Sequence, residues 1–152
     1  MITKPTTDAL IEDCCRELME GILPGLTDET LKLRLVMTET VLRNAAVRAA
    51  HEIAWMREET TALLAYARRV AARHGSAPLR AALADAGAGP SDSLHLADVA
   101  DRYERAGQAF ATALAAAQEA GAADLVAQAR ELLRGRIATE KLVMATYAVA
   151  GR

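Results

Sequence analysis

Aromatic side chains are scarce: the 152-residue chain carries one Phe, one Trp and three Tyr. A core with so few rings has to be assembled from aliphatic and small residues, and 35 alanines supply them. Alanine favours the helical state above all others, and its short side chain lets helix axes approach closely. The composition therefore predicts an all-α fold. Cysteine is equally sparse. Cys14 and Cys15 are adjacent, a bond between neighbours is strained, and a secreted scaffold uses more cysteines at wider spacing. A disulfide framework is excluded, and both thiols are expected reduced, near the inner face of the first helix. No staple is needed, because a chain of this length buries roughly 70% of the surface its unfolded form exposes.

Long apolar runs are missing too. Nothing approaches the roughly eighteen uninterrupted apolar residues of a membrane span, and Met1 to Asp8 has no basic start leading into an apolar run. A cytoplasmic protein is the expectation. Charge of one sign is absent as well: 18 basic and 20 acidic side chains leave a net −2. No bulk attraction to nucleic acid or to anionic membranes follows, so neither is expected as a partner.

Proline and glycine are absent from a long internal stretch. Between Pro24-Gly25 and Gly75, Thr27 to His74 contains neither, which predicts one long helix over about 28–74. Steps of four and three along it select Leu31, Leu35, Thr38, Leu42, Ala45, Ala49, Ile53, Met56, Thr60, Leu63, Ala67, Val70 and His74 as a mostly apolar seam. Thr27-Asp28-Glu29 supplies a cap and an acidic first turn. Before it, a helix over about 8–21 places Ile11, Cys14, Cys15, Leu18 and Ile22 on one side, and Leu23-Pro24-Gly25-Leu26 ends it. After it comes a short connecting helix from Ser76 to about Asp85, then a loop at Gly87–Asp92.

A helix over about 93–121 carries the seam Leu96, Val99, Tyr103, Ala106, Phe110, Ala113, Ala117 and Ala120. The last, over about 124–148, turns Val126, Ala129, Leu133, Ile137, Met144 and Tyr147 inward, and the short link at Gly121–Asp124 forces these two helices antiparallel. Gly135 inside the last helix suggests a close helix crossing. The whole reads as one antiparallel helical-bundle domain over 1–152. At 1.5 Å per residue the central helix spans roughly 70 Å and the last two about 40 Å each. The overhang predicts that the first helix and connector cap it, that the long helix bends near Thr60-Thr61, or that a second copy packs there; a homodimer is the expectation.

Signals for chemistry are few, and no catalytic residue, metal ligand or cofactor is assigned. His51, Glu52, Trp55, Glu58 and Glu59 cluster on the middle of the long helix, with His51 and Trp55 one turn apart on a flank of the seam, and His51, Glu52 and Trp55 are the candidate ligand-binding residues. Arg68, Arg69, Arg73 and His74 crowd its end, with Arg80 beyond, as partners of the helix dipole or as an anion site. Asp92-x-x-His95 with Asp98 and Asp101 offers imidazole and carboxylates, but lacks the paired Glu-x-x-His of a dinuclear bundle site. The glycines at 87 and 89 follow no strand and match no phosphate-loop pattern. No GxSxG elbow occurs, and neither cysteine has a histidine near it in sequence. Glu140, inside an otherwise apolar seam, is read as a structural ion pair or a tuned acid.

The opening Pro5-Thr6-Thr7-Asp8-Ala9-Leu10-Ile11, then Ile22-Leu23-Pro24, and Arg34, Val41, Leu42, Asn44, Ala45 and Glu52 on the long helix resemble a family of uncharacterised bacterial helical proteins. Its members begin with Pro-Thr-x-x-Leu-Leu, turn at "EVLPAL" and continue with "VAANAL". Ile137 to Ala145 is similar to that family's closing "TVxxKLAVANP", although Thr146-Tyr147 stands where the family has Asn-Pro. The resemblance implies an accessory role in acyl-CoA or lipid-like catabolism, beside aminoglycoside-phosphotransferase-like kinases and acyl-CoA dehydrogenases. Two functions are therefore expected: a non-catalytic helical protein that binds itself and a partner enzyme, or a module holding an apolar or acyl ligand between helices near His51 and Trp55.

Overall fold

Alanine-rich amphipathic segments separated by Gly, Pro and Ser turns fold into five α-helices in a computed structural model that describes residues 4–89 and 92–144. The helices are α1 (Thr7–Arg16), α2 (Glu29–His74), α3 (Ala77–Ala86), α4 (Leu96–Glu119) and α5 (Ala123–Met144). The fold is all-α, with no strand among the described residues. Backbone contacts cluster into two compact units, Met1–Glu52 with Glu140–Arg152, and Ile53–Thr139.

Local chemistry explains most of the boundaries. Asp28 caps α2, its Oδ1 accepting the backbone N–H groups of Thr30 at 2.7 Å and Leu31 at 3.2 Å. Ser76 caps α3 by accepting the N–H of Leu79 at 3.3 Å, and Pro78 sits in the first turn, where a missing N–H costs nothing. Gly121, at φ 65°, ends α4 in a Schellman motif: its own N–H reaches the Gln118 carbonyl and the Ala122 N–H reaches that of Ala117, both at 3.0 Å. The first helix departs from expectation. Regular α geometry stops at Arg16, a wider π-helical turn covers Glu17–Ile22, and a 3-10 turn covers Leu23–Gly25 with Pro24 inside it.

In the Ile53–Thr139 unit, Leu63, Leu64, Tyr66, Ala67 and Val70 of α2 meet Leu79 and Ala86 of α3. Ala106, Ala109, Phe110, Ala113 and Ala117 of α4, and Leu125 and Ala129 of α5, complete the same core. Alanine allows the close approach, and one tilted ring pair, Tyr66 against Phe110 at 5.2 Å, fills the space between α2 and α4. Helix directions follow from cross-pairs. Tyr103 bonds Glu59 and Phe110 packs on Tyr66, rising together along α2 and α4, so those helices run parallel. On α5 the order reverses: Arg73 reaches Asp124, Arg69 reaches Gln128, and Glu59 faces Arg136. With α3 returning between α2 and α4, the bundle has the up-and-down course expected of short connections.

Several seam positions differ from the reading by spacing. Thr60, Leu63, Ala67 and Val70 are buried as expected, but Leu31, Thr38 and Ala49 are exposed, and Glu39, Asn44 and Ala46 are buried in their place. On α4, Leu96 and Ala120 are exposed. On α5, Leu133 and Ile137 are exposed, because the core ends near Leu132, while Tyr147 and the Met144 side chain lie outside the described residues. Glu140 is exposed, not enclosed among apolar groups.

Within the unit that holds α1, Cys15 is fully buried and its thiol lies 3.8 Å from the Glu39 carbonyl. Burial, with the nearby Glu39 charge second, pushes this thiol's pKa up, so it is a packed small hydrophobe and not a nucleophile. Cys14, expected beside it on the inner face, is exposed, since consecutive helical positions point about 100° apart. Both are free thiols. Glu39 is buried and ion-paired with Arg43 one turn later.

Candidate functional site

The face of α2 that carries Trp55 borders a groove of about 300 Å³ against α5. Ala62 and Leu63 from α2 and Leu132 and Gly135 from α5 are among its apolar walls, and Trp55 and Thr139 stand beside them. Gly135 is central to this geometry. A Cβ added there would meet nothing within 4 Å, so this glycine marks open space and not the close crossing expected from the sequence.

The polar groups of the groove are Glu58, Glu59, Glu131 and Arg136. Glu59 is the best organised of them. Its Oε2 accepts the Tyr103 hydroxyl at 2.9 Å, and its Oε1 lies 3.6 Å from the Arg136 Nε. The Arg136 guanidinium also lies 5.7 Å from the centre of the Tyr103 ring, a cation–π distance. This three-residue network ties α2, α4 and α5 together and fixes the arginine at the groove. Glu131 is paired with Arg134 on its own helix. Neither histidine nor cysteine is among the lining residues.

Of the residues expected to form a site, Trp55 lines this groove, whereas His51 and Glu52 do not. His51 is exposed, and Glu52 is paired with Arg48 at 2.8 Å. The arginines at the end of α2 act as ties between helices: Arg69 donates to Gln128 at 2.6 Å and Arg73 pairs with Asp124. Around α4's start, Asp98 accepts the Ser93 hydroxyl at 2.6 Å and Asp101 pairs with Arg105 at 2.6 Å. Among the described residues no group of three or more His, Cys, Asp or Glu side chains is placed to hold a metal ion. Nor is any described helix long and apolar enough to cross a membrane. In the glycine loop, Gly89 adopts φ 88°, while Pro90 and Ser91 lie outside the described residues.

Sequence reasoning missed Glu59, Tyr103 and Arg136 as a unit. Their separations along the chain, 44 residues from Glu59 to Tyr103 and 33 from Tyr103 to Arg136, follow no local period, and only the parallel course of α2 and α4 brings the first two together. No family model matches the chain, and comparisons with curated proteins and with solved structures give no significant match.

Proposed function

We propose that this is a cytoplasmic, non-catalytic helical interaction protein that associates with a second copy of itself through the first half of α2. The observation that carries this reading is a ridge of large apolar side chains left in water: Leu33 is 60% exposed, Met37 62% and Val41 55%. They stand at steps of four, so they share one strip of the helix, and contiguous exposed apolar strips mark interaction surfaces. The ridge is also symmetric about Met37. A two-fold axis at that residue sets Leu33 against the partner subunit's Val41, as an isologous contact requires. Arg34 then falls opposite Thr40, and Arg43 opposite Leu31, so no like charges collide.

Sedimentation equilibrium of the full chain at micromolar concentration tests this, with a dimer expected and Met37→Glu expected to give monomer. A clean monomer for the unaltered chain rejects it. An accessory role in acyl-CoA or lipid-like catabolism rests on the family resemblance alone. Co-purification with a kinase-like protein or an acyl-CoA dehydrogenase is the corresponding observation.

The groove beside Trp55 supports a second reading, a module for an apolar or acyl ligand. Its volume matches the lower range of small-molecule sites. A Cβ added at position 135 meets nothing within 4 Å, and Gly135→Leu directs a larger apolar side chain into that space. Under this reading the variant abolishes ligand-induced change in Trp55 fluorescence while leaving the fold intact; a response unchanged by that substitution rejects the reading.

A further inference from the structure

The groove between α2 and α5 lies wholly within the Ile53–Thr139 unit, and its charges are unequal. On α2 it is lined by Trp55, Glu58, Glu59 and Ala62, positions at steps of three and four that share one strip of the helix. Three carboxylates meet it, Glu58 and Glu59 from α2 and Glu131 from α5, against one guanidinium, Arg136. Most of these charges are answered within the protein. Arg136 lies 3.6 Å from Glu59 and 5.7 Å from the centre of the Tyr103 ring, and Glu131 is paired with Arg134. Glu58 differs from them. It is exposed and takes part in no ion pair among the described residues, so its charge stands at the groove unanswered.

Helix directions place that charge relative to the apolar walls. α2 and α5 run antiparallel, with Glu59 opposite Arg136 and Arg69 opposite Gln128. Passing from Trp55 and Glu58 toward Leu63 on one side therefore means passing from Thr139 through Gly135 to Leu132 on the other. The indole ring and the unanswered carboxylate stand at one end, and Ala62, Leu63 and Leu132 stand at the other, where Glu131 is already held by Arg134. Between them the missing Gly135 side chain leaves open space. A molecule that matches this gradient has a positive head and an apolar tail, since an aromatic face and a carboxylate both attract a cation. A carboxylate head instead meets three like charges and finds the lining guanidinium already facing Glu59.

Taking the groove beside Trp55 as a ligand site, we infer that its occupant is an amphiphilic organic cation, with an ammonium head beside Glu58 and the Trp55 ring and an alkyl chain along Ala62, Leu63, Leu132 and Gly135. A neutral chain of the same length gains the apolar contacts alone. A fatty carboxylate gains them too and loses part of that gain to repulsion. Charge complementarity thus selects among ligands whose tails the groove accepts equally.

Trp55 is the only tryptophan of the chain, so its fluorescence reports on the groove. Titrating the full chain with octylamine, octanol and octanoate at neutral pH and low salt compares three heads on one tail; the amine is protonated there, as a lysine side chain is. Saturable responses are expected, with octylamine about tenfold tighter than octanol and octanoate weaker than both. Raising the salt concentration should narrow that gap. Glu58→Gln, at an exposed position, should bring octylamine to within about threefold of octanol and leave octanol unmoved. Absence of any response to all three compounds, or responses that survive Gly135→Leu, overturns the ligand site and its cationic occupant together. Octanol or octanoate binding as tightly as octylamine leaves the site standing and overturns the cationic occupant, as does a preference for the amine that Glu58→Gln does not reduce.

Discussion

The two halves of α2 obey the same apolar spacing and meet different fates. From Thr60 to Val70 the spaced positions are buried against three further helices. Between Leu31 and Ala49 the same rule selects residues that are exposed (Leu31, Thr38, Ala49) or half-buried (Leu35, Leu42, Ala45), and the enclosed positions include a carboxylate, Glu39, and an amide, Asn44. Periodicity identifies a helix and one face of it. Whether that face is covered depends on how much chain elsewhere is available to lie on it, which is a property of the other helices' lengths.

The contrast is broken most forcefully by removing core volume. Leu125 is fully buried in the α2–α5 core, so Leu125→Ala should cost about 3 kcal/mol, from lost transfer energy and the cavity left behind. Met37→Ala, on the exposed ridge, should stay within about 0.5 kcal/mol in a monomeric reference state. Urea denaturation at low protein concentration separates the two. Equal losses would mean that the ridge is covered in the isolated chain.

A smaller effect, of opposite sign, is expected at Asn44. Its side chain is enclosed, and neither its Nδ2 nor its Oδ1 has a hydrogen-bond partner among the described residues. Enclosing an unmatched amide costs free energy that an apolar group of similar shape avoids. Asn44→Leu should therefore stabilise by about 1 kcal/mol, read as a raised urea midpoint at unchanged slope. A lowered midpoint would show that the amide has found a partner in solution, such as a second copy.

How far these differences were legible in the sequence depends on the range of the interaction behind each. Helix existence, the 28–74 stretch and the cap within Thr27-Asp28-Glu29 rest on propensity and on bonds within four residues, and they were legible. So was the Gly121 turn that sets α5 against α4. The change to π geometry after Arg16 was not, because no proline or glycine marks that point. The candidate site was legible only on α2, at Trp55, Glu58 and Glu59. Tyr103 and Arg136 join Glu59 through tertiary packing. Glu140 was misplaced because the seam was extended past the point where the core stops.

The mildest effect should come from the ion pair tying the end of α2 to the start of α5. The Arg73 guanidinium bonds the Asp124 carboxylate and holds its pKa below the ordinary value. A carboxylate depressed in the folded state stabilises at pH values above its unfolded pKa, about 3.9, and loses that contribution as pH falls through the lower folded value. Asp124→Asn should thus lower the melting temperature by a small, constant amount near neutral pH. The difference from the unaltered chain should shrink below pH ~4, and raising the salt concentration at pH 7 should shrink it as well. Both partners are about half exposed, so solvent screening keeps the contribution well under that of the Leu125 side chain. A difference that persists undiminished in acid would mean that Asp124 acts through α5's first-turn N–H groups and not through Arg73, which would leave the buried core as the principal tie between α2 and α5.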